Sequence, residues 1–353
     1  MDRIQNRVSA FVKLGQFISQ FSQKSSIRKE EIEHNNLFFE GFKHQLKITE
    51  ESNSWFTKEN ILFSLNSWAN ALTETNLSKW ITNENVGKNN PKLVAIIMAG
   101  NIPLVGFHDF LSVLISGHSV LIKQSSNDKH LLPFLAKYLE HINPEFIGNI
   151  TFTEKKITNF DAIIATGSNN TARYFEYYFK KSPNIIRKNR NSIAVLTGNE
   201  TEKELEALGN DIFQYFGLGC RSVSKIFVPK DYHFDSFFKG IFFKQTIINN
   251  AKYANNYDYN KAVYLMSEFD ILENGFLMIK EDASYASPIA TLFYEFYDDL
   301  DHLKIKIEQE KENIQCIVSN NFTSGEISFG QTQHPQLWDY ADGINTLEFL
   351  AKI

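Results

Sequence analysis

The sequence predicts an α/β fold built on a mostly parallel sheet. Three observations carry this expectation. "LVAIIMAG" (93–100) is a nearly continuous apolar run, the pattern of a strand covered on both faces. "SVLIK" (119–123), "DAIIATG" (161–167) and "SIAVLTG" (192–198) repeat that texture. Segments of helical period lie between them, and alternating strands and helices imply right-handed crossovers and parallel neighbours.

The elements follow in order. Residues 1 to about 90 are polar and helical in pattern, and "GKNNP" (87–91) marks a loop. Past the first strand, Pro103 suits the first turn of a helix. Leu104, Phe107, Leu111 and Leu114 then share one helical face, with His108, Asp109, Ser112 and Ser116 on the other. Gly117 fits the stop, and 119–123 is the next strand. Helix is predicted for 127–140 and 169–181, and strand for "NITFT" (149–153) and for 161–167 and 192–198. "TEKE" (201–204) is a capping box, in which Thr201 caps and Glu204 reaches back. Leu205, Leu208, Ile212 and Phe216 line one face of the helix it opens, and Gly217 closes it. Strands are expected at 224–229, 276–279, 289–296 and 314–320, and a loop-rich stretch at "NNAKYANNYDYN" (249–260). No repeat or low-complexity tract interrupts the pattern.

A chain of 353 residues has room for two or three domains, or two interleaved ones. With 43% hydrophobic and 14% aromatic residues it belongs among folded proteins. The net charge of -5, without a dominant basic stripe, argues against a nucleic-acid partner. "RKNR" (187–190) reads as a solvated loop. Two cysteines make no disulfide framework, and no zinc spacing occurs, so no metal is expected. The start lacks the apolar core of a signal peptide. The longest apolar region, 93–122, is broken by Asn101, Pro103, His108, Asp109 and His118, which argues against a membrane span. A reducing, cytoplasmic setting is the default, and a thiol persists there.

"FGLGCRS" (216–222) sets Cys220 in a glycine-flanked turn after a helix, beside Arg221. Such a turn can expose a thiol, Gly219 allows an unusual backbone, and an arginine aimed at the sulfur would favour thiolate. The competing reading is a small buried hydrophobe, the commoner fate of a cysteine. Cys316, within "NIQCIVSN", is assigned to that fate. "AGN" (99–101), "KQSS" (123–126) and "TGSNN" (166–170) fall at the carboxyl ends of predicted strands, where parallel sheets take ligands. The GxGxxG fingerprint is absent, so an ordinary Rossmann phosphate turn is not predicted.

Read in order, "AGNIPLVGFHDFLSVLISGHSVLIKQSSND" (99–128), "ATGSNNTARYF" (165–175) and "FQYFGLGCRSVSKIFVP" (213–229) resemble the motifs of the aldehyde dehydrogenase superfamily. The likeness covers about 93–353 and is nearest to the LuxC-type long-chain fatty acyl-CoA reductases of bacterial luminescence. It implies an aldehyde-dehydrogenase-like fold, with a Rossmann-type parallel-sheet domain and a smaller α/β catalytic domain. The expected bounds are 1–192 for the N-terminal helices and NAD(P)-binding domain, and 193–325 for the catalytic domain. A C-terminal segment, 326–353, would return across both.

The resemblance also implies roles. Cys220 matches the thiol nucleophile. Asn101 matches the amide that binds the oxyanion with the cysteine's own N–H; its structural alternative is a helix N-cap ahead of Pro103. Lys123, Ser125 and Ser126 match the strand end near the adenosine ribose. Ser126 stands where a glutamate ordinarily holds the 2′-hydroxyl, which favours NADPH over NADH. Gly167 and Ser168 match the turn that meets the pyrophosphate; alone they read as an N-cap pair. Coenzyme A enters as part of an acyl-CoA substrate. A homo-oligomer and an acylated protein donor are partners this resemblance allows, although the hairpin of the usual oligomer arm is not evident before residue 93.

The departures matter too. "NIIRKNRNSIAVL" (184–196) has no carboxylate where hydrolytic members carry a glutamate, so the expected thioester passes to or from a thiol rather than to water. Ser284 occupies the place of a second glutamate, and His334 in the tail reads as structural or solvated. The abundant phenylalanines line either an acyl tunnel or the core. Three alternatives stay open: a glutamyl-phosphate-type reductase, an acyltransferase, and an acyl-binding protein without redox activity.

Overall fold

A computed structural model describes residues 3–23, 25–82, 86–87 and 90–353, so the loop expected at 87–91 lies partly outside the described residues. The chain forms two compact units, Met1–Lys188 with Gln336–Ile353, and Asn189–Pro335.

The first unit opens with helices α1 (Arg3–Ser19), α2 (Asn35–Ser52), α3 (Lys58–Ala71) and α4 (Glu74–Ile81). Thr57 and Thr73 start α3 and α4 by accepting the backbone N–H of Asn60 and Asn76, groups that lack a partner within the helix. α1 buries Phe11, Leu14, Phe17 and Ile18 at three- and four-residue spacing. Phe17 stacks on Tyr138 at 4.3 Å between centroids and packs against Phe42 at 5.5 Å. The phenylalanines of this region therefore build core.

The sheet of this unit comprises β1 (Leu93–Ile97), β2 (Ser119–Lys123), β3 (Ile150–Phe152), β4 (Ala162–Thr166) and β5 (Asn184–Arg187). Between them run α5 (Phe107–Ile115), α6 (Leu131–Ile142) and α7 (Asn169–Phe179). All pairs are parallel, in the order β3-β2-β1-β4-β5. The winding reverses between β1 and β4, which makes that point the topological switch.

Here the expectations need two corrections. α5 starts at Phe107, because residues 101–106 form turns in which Leu104 takes φ 59. The polar residues of α5, Asp109 and Ser112, are buried, as is its C-cap Ser116. Asp109 is matched there by Arg187, also buried, whose Nη2 lies 2.7 Å from Asp109 Oδ1. The same guanidinium donates to Thr346 Oγ1 at 3.0 Å and Ala341 O at 2.8 Å. Arg187 thus ends β5 in the core rather than starting a solvated loop. Arg7 behaves similarly, pairing with Glu145 and passing under Gly117. Gly117 has φ +86, and a Cβ there would lie 2.4 Å from Arg7 Nη1, so no other residue fits.

The second unit holds β6 (Asn191–Val195), α8 (Glu202–Phe213), β7 (Val223–Pro229), α9 (Asp235–Ile241) and α10 (Ala251–Met266). Then come β8 (Ile271–Glu273), β9 (Met278–Glu281), β10 (Thr291–Tyr297), α11 (Leu300–Gln309) and β11 (Ile314–Val318). Its sheet runs β11-β6-β7-β10-β9-β8 and is parallel except for the antiparallel β8–β9 pair. The capping box forms as expected, Thr201 N donating to Glu204 Oε2 at 2.7 Å.

The loop-rich expectation at 249–260 is overturned. Those residues enter α10, capped by Asn250, whose Oδ1 accepts from Lys252 N and Tyr253 N. Tyr253, Tyr257, Asn260 and Tyr264 are buried at spacings of four, three and four. The asparagines disguised a helical aromatic stripe. Cys316 is buried on β11, as assigned. A last helix, α12 (Thr346–Leu350), belongs to the first unit. Among the described residues, no helix is long and apolar enough to cross a membrane.

Candidate functional site

In the first unit the predicted cofactor residues and Asn101 come together. β1, β2 and β4 are parallel neighbours, so Gly100–Asn101, Lys123–Ser126 and Gly167–Ser168 follow their carboxyl ends along one sheet edge. The loops after β1 and β2 approach closely: a Cβ on Gly100 would sit 2.6 Å from Ser125 Cβ and Oγ. Asn101 does not cap α5. That position is Gly106, five residues on, so the structural alternative for Asn101 is set aside.

Lys123 is half-buried and its Nζ lies 3.4 Å from Lys155 O. Ser125 Oγ accepts from Asn127 N at 3.3 Å, and Ser126 is exposed. Ser168 caps α7, its Oγ accepting from Thr171 N at 3.3 Å, and the first turn of α7 has no acidic residue. The edge thus offers a lysine, hydroxyls and a helix N-terminus without an exposed carboxylate in that turn. This donor set fits the phosphates of a dinucleotide.

Asp128 is the residue that pattern reading missed here. It is buried, its Oδ2 accepts Leu104 N at 2.8 Å, and burial pushes its carboxyl up to about 7. It therefore ties the β2 loop to the left-handed turn that follows Asn101. The folded state holds this proton to near pH 7, whereas an unfolded aspartate releases it near ~4. Its stabilising contribution is complete below the unfolded value and is lost as pH rises through about 7. Asp128→Asn keeps an oxygen for Leu104 N. Its urea midpoint is expected to exceed that of the wild type at pH 8 and to vary less between pH 5 and 8.

In the second unit, Cys220 sits in a β-turn closed by Ser222 N donating to Gly219 O at 3.0 Å. Its side chain is exposed and outside any disulfide. Ser192 Oγ, at the amino end of β6, donates to Cys220 O at 2.9 Å. The turn precedes β7, so it lies at the amino ends of β6 and β7, opposite to the usual ligand edge of a parallel sheet. The unusual backbone is not at Gly219, whose φ is not positive. It falls at Tyr215 (φ 55), Phe216 (φ 59) and Gly217 (φ 74), where the chain leaves α8. Two non-glycine residues in that region cost about 1–2 kcal/mol each, so the sharp reversal ahead of the thiol is maintained by surrounding packing. Arg221 points to the tail: its Nε donates to Thr332 O at 2.6 Å. His334 is exposed. Ser192, Asp211, Thr332 and Gln333 around this turn were not foreseen, and their distance in sequence leaves no local signal.

A model of the acyl-CoA reductase (LuxC) family matches residues 13–237, a span that includes Asn101 and Cys220. No curated protein matches the chain. Among solved structures, the chain is similar to the aldehyde dehydrogenase KauB from Pseudomonas aeruginosa, at 13% identity and TM-score 0.59, covering 90% of this chain and 75% of that one. It is similar to the NAD+ complex of an aldehyde dehydrogenase from Bacillus cereus, at 12% identity and TM-score 0.57, covering 90% and 76%. A third likeness is to the NAD-dependent aldehyde dehydrogenase from Sinorhizobium meliloti, at 11% identity and TM-score 0.61, covering 94% and 76%. These likenesses bear out the α/β, aldehyde-dehydrogenase-like fold. The chain belongs to the LuxC family of acyl-CoA reductases, oxidoreductases that convert fatty acyl-CoA to the aldehyde.

Proposed function

We propose that this enzyme reduces a long-chain acyl-CoA with NADPH through a thioester on Cys220. The observation that carries this reading is the exposed thiol of Cys220 at the corner of a turn tied down on both sides. The thiolate attacks the acyl carbonyl, and the carbon–sulfur bond to coenzyme A breaks. The likeness of its motif assigns Asn101 to the charge that develops on the oxygen, a stabilisation that grows as the tetrahedral centre forms. The acyl group remains on the protein, and one difficult step becomes two easier ones.

A nicotinamide dinucleotide, when bound, supplies the hydride that releases the acyl group as aldehyde. Gly167 and Ser168 hold its pyrophosphate, and Lys123, Ser125 and Ser126 meet its adenosine ribose. Lys123 beside the Lys155 backbone, with serine rather than carboxylate at 126, favours a 2′-phosphate and hence NADPH. The nucleotide role thus falls to the first unit and the thiol to the second. No carboxylate occurs in 184–196, and Arg187 there is occupied by Asp109, which supports exchange with a thiol over hydrolysis. A reducing, cytoplasmic setting suits the thiol.

Intact-mass spectrometry after incubation with octanoyl- or hexadecanoyl-CoA tests this. One acyl adduct per chain is expected, mapped to the Cys220 peptide and not to Cys316, and lost with aldehyde release on adding NADPH. Absence of an adduct at Cys220 with either donor overturns the reading. Asn101→Ala is expected to lower kcat by about 10²–10³-fold, with KM changed far less, in steady-state assays.

A further inference from the structure

The turn that carries Cys220 is gripped by a segment more than a hundred residues further along the chain. We propose that Asp211, Thr332 and Arg221 form a brace that sets the position of the nucleophile, with Asp211 as its anchor and as a positioning residue for acyl transfer. This rests on Cys220 being the nucleophile.

Asp211 lies on α8 and is 1% exposed. Its Oδ2 accepts Gly330 N at 2.6 Å, and its Oδ1 accepts Thr332 N at 3.0 Å and Thr332 Oγ1 at 2.8 Å. Thr332 is fully buried, and its carbonyl takes Arg221 Nε at 2.6 Å. The next residue, Gln333, donates from Nε2 to Ser222 Oγ at 3.2 Å. Residues 332 and 333 therefore hold both residues that follow Cys220. Gly330 starts the segment at φ +81, and a Cβ there would sit 3.0 Å from Ala207 Cβ. The strap is thus pressed onto α8 where only glycine fits.

Two features separate this from ordinary packing. A buried carboxylate is costly, and burial pushes Asp211 above its usual range even with three donors. Its flanking inward positions on α8, Leu208 and Ile212, are apolar. The three donors are all on the strap, and two further bonds, at Thr332 O and Gln333 Nε2, join it to the turn of the thiol. A change in the length of this chain moves Cys220 relative to its electrophile, and a misplacement near 1 Å can cost about 10²-fold in rate. Arg221 on this account acts through its Nε geometry, not merely as a positive charge.

The test is a double-mutant cycle on the rate of acyl-cysteine formation from octanoyl-CoA, followed by quenched mass spectrometry without dinucleotide. Asp211→Asn and Arg221→Lys are each expected to slow acylation about 10–10²-fold, with the half-saturating octanoyl-CoA concentration within about 3-fold of wild type. Because both act through Thr332, the double variant should lose little more than the worse single one. The pH midpoint for iodoacetamide alkylation of Cys220 should stay near wild type in Arg221→Lys while acylation falls. Losses that multiply in the double variant, or wild-type acylation in Asp211→Asn, overturn the brace. Wild-type enzyme that forms no adduct at Cys220 instead overturns the parent reading. Should Asp211→Asn fail to fold, Thr332→Val removes only the hydroxyl bond, and its cycle with Arg221→Lys must show the same coupling.

Discussion

Cys220→Ala is expected to lose acyl-CoA reduction by at least about 10³-fold, with no acyl adduct. The alanine keeps the bonds that Ser222 N, Ser192 Oγ and Arg221 Nε donate in this turn. The thermal midpoint should therefore stay within about 1–2 °C of wild type, since exposed substitutions are usually worth under ~0.5 kcal/mol. Cys220→Ser should be nearly as inactive. A hydroxyl is far less ionised than a thiol near neutral pH and is the weaker nucleophile. Cys316→Ala is the internal control: its sulfur is buried on β11, so stability falls modestly while adduct formation persists. Adduct and turnover surviving in Cys220→Ala would remove this thiol from the chemistry.

Arg187→Ala is expected to destabilise the first unit by about 3–5 kcal/mol, measured by urea unfolding. The arginine and Asp109 are both buried, 2.7 Å apart, so its removal leaves a carboxylate in the core without its counter-charge. The same truncation cuts the bonds to Ala341 O and Thr346 Oγ1, which hold the C-terminal segment in this unit. Protease should then release peptides from 336–353 sooner than from the wild type. Arg187→Met with Asp109→Leu should recover much of the stability, because a well-packed apolar pair of similar volume avoids the desolvation penalty. A loss under 1 kcal/mol for Arg187→Ala would show that water or another group compensates the carboxylate.

These two sites mark how far the sequence is legible. The strands of the first sheet stand out because a parallel strand buried on both faces has no polar residue to blur its run. Cys220, Asn101 and the strand-end residues are recognisable because their motifs occupy short, ordered stretches. Arg187 was misread because a basic tetrapeptide has the composition of a solvated loop, and only β5 and the tail reveal its burial. The burial of Asp109 and Ser112 on α5 was not legible either, since a helical wheel cannot show what covers its far side. α10 was hidden by asparagines, although its tyrosines keep helical spacing.

The amino-acid pattern alone determined the α/β alternation, the helix-opening capping box and the thiol in its turn, because each depends on residues a few positions apart. Tertiary structure decided which polar groups are buried and what holds the thiol's turn. Asp128 on Leu104, Arg187 on Asp109 and Asp211 on Thr332 join positions 24, 78 and 121 residues apart. Such contacts carry no local period. They exist because burying a polar group is tolerable only where folding delivers its partner.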